Sequence, residues 1–280
     1  MADANKRGIF FDGIYLPTFK PLLENPEVRL NAIKNLEGRS DDVLITAFPR
    51  SGTHWLWEIT NMLLIQEDQY TEKTKETAFL EFVDDWSNIE KIPSPRLLNT
   101  HVPYRWLPLQ HVAKQRKILH VIRNPKDVFV SLFHFQKNFG STEDWDSFYK
   151  SKVIGSGTNY GGWLEYERTF IMESKNVHVI FYEDIKLKPT EEIKRLAKFL
   201  DVECSDDLIA NIAEKCEFDK LKKAHLTVKK TESKVQHYRK GEIGDWKNHF
   251  TVAQNEEFDE LFRTKMAGSL LCSKYCPTTS

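Results

Sequence analysis

Residues 43–55 read VLITAFPRSGTHW, and this stretch limits the possible folds more than any other. VLITAF is short and almost wholly apolar, the pattern of a strand covered on both faces, which is typical of a parallel sheet. Pro49 ends the run, and Ser51 and Gly52 turn the chain. THWLWEITNMLLI (53–65) then carries helix formers, with apolar positions at Trp55, Leu56, Ile59 and Leu63. Such a strand–loop–helix aims backbone N–H groups and the positive end of a helix dipole at whatever lies above the loop. Gly52 lets an anion approach the backbone, Ser51 and Thr53 offer hydroxyls, and Arg50 adds a cation of fork geometry. The loop is P-loop-like, but the G-x-x-x-x-G-K-S/T spacing is absent, which argues against a magnesium-dependent nucleotide triphosphatase. The plainer alternative is a turn in which Thr53 only caps a helix.

The rest of the chain repeats the alternation. RLLNTH (96–101), KILHVI (117–122) and VHVIFY (177–182) are short apolar strands. PKDVFVSLFHFQ (125–136) and KPTEEIKRLAKFL (188–200) have helical patterns, the second opened by Pro189 and Thr190. The expected fold is α/β: one domain with a central, mainly parallel sheet flanked by helices, its ligands at the carboxyl ends of the strands. No convincing domain boundary interrupts residues 1–280. Residues 1–40 read as an irregular N-terminal cover. The segment 221–250, basic and poor in periodicity, reads as a long functional loop.

The net charge of −1 provides no overall field toward nucleic acid or an anionic membrane, so neither is an expected partner, and any anion site must arise from local clustering. No apolar run reaches the roughly 18 residues of a membrane span. The opening MADANKRG lacks the apolar core of a signal peptide, which points to a cytoplasmic protein. The four cysteines, Cys204, Cys216, Cys272 and Cys276, are sparse and read as free thiols rather than zinc ligands. No metal site is expected.

Two further stretches are ready for anions. In HVIRNPKDVFVS (120–131), Arg123 lies just past a strand and Ser131 about two turns into the next helix. In YRKGEIGDWKNHFTVAQNE (238–256), Arg239, Lys240 and Gly241 form a compact cationic turn. Each alone also reads as an ordinary capping arginine, a solvent-facing serine or a solvated basic patch. Together with the first loop they point to a ligand with more than one phosphate.

Taken together, TAFPRSGTHW, RNPKDVFVS and RKGEIGDWKNHFT resemble the signatures of the cytosolic sulfotransferase family, which run close to T-Y-P-K-S-G-T-x-W, R-N-x-K-D-x-x-V-S and R-K-G-x-x-G-D-W-K-x-x-F-T. SPRLLNTH (94–101) and FYEDIKLKP (181–189) add to the likeness, which spans nearly the whole chain in order. The resemblance implies a single sulfotransferase domain. Its donor would be 3′-phosphoadenosine 5′-phosphosulfate, and a sulfuryl group would pass to a hydroxyl or amine without a metal. By resemblance, Arg50, Ser51, Gly52 and Thr53, with His54, cradle the 5′-phosphosulfate. Trp55, Tyr182, Cys216 and Phe218 meet the adenine. Arg123, Ser131, Arg239, Lys240 and Gly241 bind the 3′-phosphate. His101 is the base, and Arg50 and Ser131 act beside it.

The chain departs from the family pattern at several positions. Arg50 and Asn99 stand where lysines are usual, Cys216 replaces a threonine, and His237 and Tyr238 replace an apolar pair. Hence the alternative is a protein of the same fold that binds nucleotide or hydrophobic ligands and transfers weakly or not at all. The acceptor, a small hydrophobic phenol, steroid or alcohol, is expected against Phe10 or Phe11, Phe79, Phe82, Trp86, Asn99, His101 and Phe135, with Trp106 further out. KNHFTVAQNE (247–256) fits a family dimerisation motif through Lys247, Thr251, Val252 and Glu256, which predicts a homodimer. Thr251 serves equally as a helix N-cap.

Overall fold

The computed structural model describes residues 8–173, 177–228 and 238–276. Its strands are β1 (Ile9–Phe11), β2 (Ile14–Leu16), β3 (Val43–Thr46), β4 (Leu97–Thr100), β5 (Lys117–Ile122) and β6 (Val177–Phe181). The chain divides into two compact units, one of residues 19–123 and 176–241, the other of 1–18, 124–175 and 242–280.

The first unit holds a four-stranded sheet of order β4-β3-β5-β6 in which every pairing is parallel. All four residues of β3 are buried, as its unbroken apolar run requires of a central strand. From β3 the chain goes first to β4 on one side and then across to β5 on the other. The order reverses at β3, which opens the crevice where open α/β sheets hold ligands. Thr46 at the end of β3 lies beside Thr100 of β4 and His120 of β5, so residues 47–52, 101 and 123 emerge at one edge. The helix Thr53–Ile65 buries Leu56, Ile59, Met62 and Leu63 and ends at Gln66 in the left-handed region. Helix Pro189–Leu200 buries Ile193, Leu196, Ala197 and Leu200, the i, i+3, i+4, i+7 stripe of its sequence.

The second unit contains the antiparallel pair β1–β2 and the helices Pro125–Asn138, Trp163–Glu173 and Val252–Lys265. Phe129, Phe148, Phe170, Phe258 and Trp163 form its fully buried aromatic core. Asp127, in the first turn of helix Pro125–Asn138, accepts hydrogen bonds from the N–H groups of Gly244 (2.7 Å) and Trp246 (3.0 Å). Two of the sequence signatures are thereby tied together.

Three expectations need correction. The stretch read as a loop from residue 221 begins inside the helix Phe218–Thr227, because Leu221, Ala224 and His225 form a buried i, i+3, i+4 face among the lysines. The N-terminal 40 residues are not irregular throughout. They include β1, β2 and the helices Lys20–Glu24 and Pro26–Lys34, the second started by Pro26 and capped by the Asn25 side chain on the Val28 N–H. Cys272 and Cys276 are joined as a disulfide rather than held as free thiols. They lie on and just after the helix Leu270–Tyr275, where one turn leaves their Cα atoms 4.9 Å apart. Cys204 and Cys216 are free. His237 lies outside the described residues.

Candidate active site

The site grows from the carboxyl end of β3. Arg50 holds φ +74°, and Gly52 caps helix Thr53–Ile65 at φ +110°. A Cβ on Gly52 would lie 2.9 Å from the ring of Tyr182, so only glycine fits both the backbone and the ring. Ser51 is fully buried, and its Oγ has no hydrogen-bond partner; the same holds for the buried Nε1 of Trp55. Buried polar atoms left this way normally await a partner.

Cations surround this loop. Arg50 is pushed down to about 10, first by burial and then by the positive charges of Arg123 and Arg239. These two charges are of its own sign, the condition of a site arranged for an anion. The Arg123 guanidinium lies 4.4 Å over the Tyr182 ring, and Tyr182 meets Trp55 edge-on at 5.1 Å. Gly241, at φ +67°, lies so close to Phe218 that any Cβ would overlap its ring. The Arg239–Gly241 turn is thus seated on the start of helix Phe218–Thr227. Tyr238 packs on Phe218 as well, at 5.9 Å. Loop 50–53, Trp55, Arg123, Tyr182, Phe218 and the Arg239–Gly241 turn therefore belong to one neighbourhood.

The remaining nucleotide candidates occupy varied settings. His54 Nε2 pairs with Glu76 Oε1 at 3.0 Å. Cys216 is buried with its sulfur 3.9 Å from that of Met62, and burial raises its thiol pKa. Ser131 is buried in helix Pro125–Asn138.

His101 follows β4. Its Nδ1 is 2.7 Å from the Ala47 carbonyl, which can only accept, so Nδ1 carries the proton and Nε2 is the basic nitrogen. Its backbone N–H donates to Glu81 Oε1 at 2.6 Å, and Thr100 Oγ1 donates to Glu81 Oε2 at 2.8 Å. Burial, then the charge of Lys75, holds the imidazole neutral, down to about 3. Burial also pushes Glu81 up to about 7.

Beside His101 stands an aromatic wall. Phe79 meets the imidazole edge-on at 5.2 Å and stacks with Phe82 at 6.2 Å, while Phe19 abuts both phenyl rings. Phe82 is 44% exposed and Asn99 is buried. Trp86 lies under the Arg29 guanidinium. In the other unit Phe10 is exposed and packs on Tyr15, and Phe135 packs on Phe139. Sequence reasoning passed over Lys75 and Glu81. Nothing local marks them, because the hydrogen bonds that tie Lys75 to Asn99 and Glu81 to His101 reach 20 or more residues along the chain. Among the described residues, no group of three or more His, Cys, Asp or Glu is placed to hold a metal ion, and no helix is long and apolar enough to cross a membrane.

A family model described as a sulfotransferase domain matches residues 40–270. The chain is 35% identical to human sulfotransferase 1C2 over 261 residues, covering 85% of this chain and 87% of that one. It is 34% identical to bovine sulfotransferase 1E1 over 278 residues, covering 91% and 92%. Mouse sulfotransferase SULT7A1, solved in complex with PAP, superposes with a TM-score of 0.79 at 30% identity, covering 96% of this chain and 100% of that one. The chain belongs to the sulfotransferase family.

Proposed function

We propose that the chain, acting as one domain over residues 1–280, moves a sulfuryl group from 3′-phosphoadenosine 5′-phosphosulfate to the hydroxyl or amine of a small hydrophobic acceptor. The observation that carries this reading is the buried, unpartnered Ser51 Oγ at a loop flanked by Arg50, Arg123 and Arg239, with an oriented histidine at the neighbouring strand end. The residues present suit the donor: Ser51 and the loop N–H groups at the 5′ end, Trp55, Tyr182 and Phe218 for the base, and Arg123 with the Arg239–Gly241 turn for the 3′-phosphate. Thr53, His54 and Cys216 complete the donor's surroundings.

When bound, the donor presents a sulfuryl group on a phosphate leaving group. His101 Nε2 takes the acceptor's proton as the acceptor oxygen bonds to sulfur and the bridging sulfur–oxygen bond breaks. Nε2 gains basicity when negative charge enters beside Lys75 and Arg50, whose charges otherwise suppress it. Arg50 balances the charge that grows on the leaving phosphate oxygen; Ser131 keeps the role given by resemblance. Phe79, Phe82 and Phe19 offer a flat apolar wall, which suits a phenol, steroid or hydrophobic alcohol. Trp86 is assigned to the same acceptor; Phe10 and Phe135 keep the role given by resemblance.

The test uses donor labelled on the sulfuryl group with a panel of phenols, steroids and aliphatic alcohols. His101→Ala should lower kcat by about a hundredfold or more while binding of PAP, the donor product 3′-phosphoadenosine 5′-phosphate, is kept. Undiminished product in that variant would remove His101 as the base. PAP binding with no product from the wild type would favour the non-transferring binder. We further assign a cytoplasmic homodimer paired through Lys247, Thr251, Val252 and Glu256. Val252 is 76% exposed, while Thr251 and Gln254 form a capping box. Val252→Glu should yield monomers in sedimentation; an unchanged mass would exclude this face.

A further inference from the structure

Lys75 is a lysine in an unusual place. It is 3% exposed, and its ammonium lies 4.4 Å over the face of Phe79 and 3.3 Å from Asn99 Oδ1. Asn99 answers by donating Nδ2 to the Lys75 carbonyl at 2.7 Å. The side chain is thus tied at both ends of its residue to β4, two positions before His101. The Phe79 ring that it covers is the ring that meets the His101 imidazole.

A buried ammonium is costly unless it is paired, and the carboxylates near Lys75 are committed elsewhere. Glu76 pairs with His54. Both oxygens of Glu81 accept hydrogen bonds, from the His101 N–H and the Thr100 hydroxyl. Burial pulls the Lys75 pKa down, the charges of Glu76 and Glu81 oppose this, and Arg50 adds to it. An anion arriving between Lys75, Arg50 and His101 would relieve the mismatch. Under the reading above, one anionic group belongs at that point: the sulfuryl group, between the leaving phosphate near Arg50 and the base at His101.

We propose that Lys75 is the cation that receives the transferring sulfuryl group, delivering from the 75–78 turn, across Asn99, the charge that position 99 of β4 does not itself carry. This inference rests on the sulfotransferase reading. It makes Lys75 a catalytic residue and makes Asn99 the group that positions it. Atoms balance as in the transfer above, since Lys75 only hydrogen-bonds to sulfuryl oxygens that are present before and after the sulfur changes partner.

The test needs no acceptor. 3′-Phosphoadenosine 5′-phosphosulfate carries the sulfuryl group and PAP lacks it, so calorimetric affinities for the two isolate contacts to that group. Lys75→Met should weaken binding of the first about tenfold or more and leave PAP within about twofold, which also shows that the variant is folded. In Lys75→Met/Asn99→Lys the charge returns from the strand, and the first affinity should recover to within about threefold of wild type. Equal effects on both nucleotides, or none, overturn the role of Lys75 while leaving the family reading intact. A double variant that does not recover overturns the placement at Asn99. Failure of the wild type to bind either nucleotide overturns the sulfotransferase reading and this inference with it.

Discussion

Arg50 and Gly52 are where single residues decide the site. A non-glycine residue at φ +74° costs about 1–3 kcal/mol of backbone strain, and such strain persists only where the surroundings impose it. Here a guanidinium is held among other guanidinium groups. Lysine carries the same charge and tolerates the same backbone, so Arg50→Lys should keep kcat within about threefold or raise it. A fall of tenfold, about 1.4 kcal/mol in the barrier, would mean that the planar fork itself is used. Gly52→Ala is a harsher change. It places a methyl 2.9 Å from Tyr182 in a left-handed conformation, so either the loop or the ring must move. PAP affinity should fall by about tenfold or more, because the proposed donor site uses both the loop N–H groups and the Tyr182 face. Unchanged affinity in calorimetry would separate this loop from the phosphate.

Among the elements, those with one dominant cause were legible in the sequence. β5 and the helix Thr53–Ile65 have the boundaries read from their apolar runs, because one buried set of side chains defines each. The helix Phe218–Thr227 was hidden by its lysines; its buried face is three residues set within a charged segment. Lys75 was hidden more deeply. Its meaning lies in Asn99, 24 positions away, and a substitution read at Asn99 alone looks like a lost charge rather than one supplied from another element. The Arg239–Gly241 turn shows the same dependence on a distant partner, since Gly241 is required by Phe218 and not by its own sequence neighbours. Gly241→Val should therefore displace the turn from the helix start. PAP binding should weaken by about tenfold or more, with little change in melting temperature because the turn contributes little to the core. A variant that loses stability but binds normally would assign the glycine to packing alone.

Across the molecule, protonation links the site to stability. His101 and His178 are lowered to about 3 and about 4, each first by burial, and His111 is lowered for the same leading reason. In the unfolded chain these imidazoles titrate near 6.5. Between that value and their folded values the unfolded state binds more protons, so stability falls as pH drops. The contribution is complete above about 6.5 and is lost on the way toward 4 and 3. Glu81, raised to about 7 by burial, acts in the opposite sense. Its contribution is complete below about 4.5 and is lost as pH rises through 7. Three groups against one make acid the destabilising direction between about 6.5 and 4.5, so the melting temperature should decline from pH 7 to pH 5. His178 allows the cause to be isolated, because it lies outside the candidate site. It stacks on Phe199 at 4.5 Å with an interplanar angle of 21°, and its buried Nε2 has no hydrogen-bond partner. His178→Phe keeps the stacking and removes the proton, so its melting temperature should fall less steeply over the same interval while PAP affinity stays at the wild-type value. A variant with the wild-type slope would place the acid sensitivity at His101 and His111. If His101 carries it, acid loosens the end of β4 that bears the candidate site and PAP binding weakens in step with the melting temperature; if His111 carries it, beside Asp42 ahead of β3, PAP binding holds until the chain unfolds.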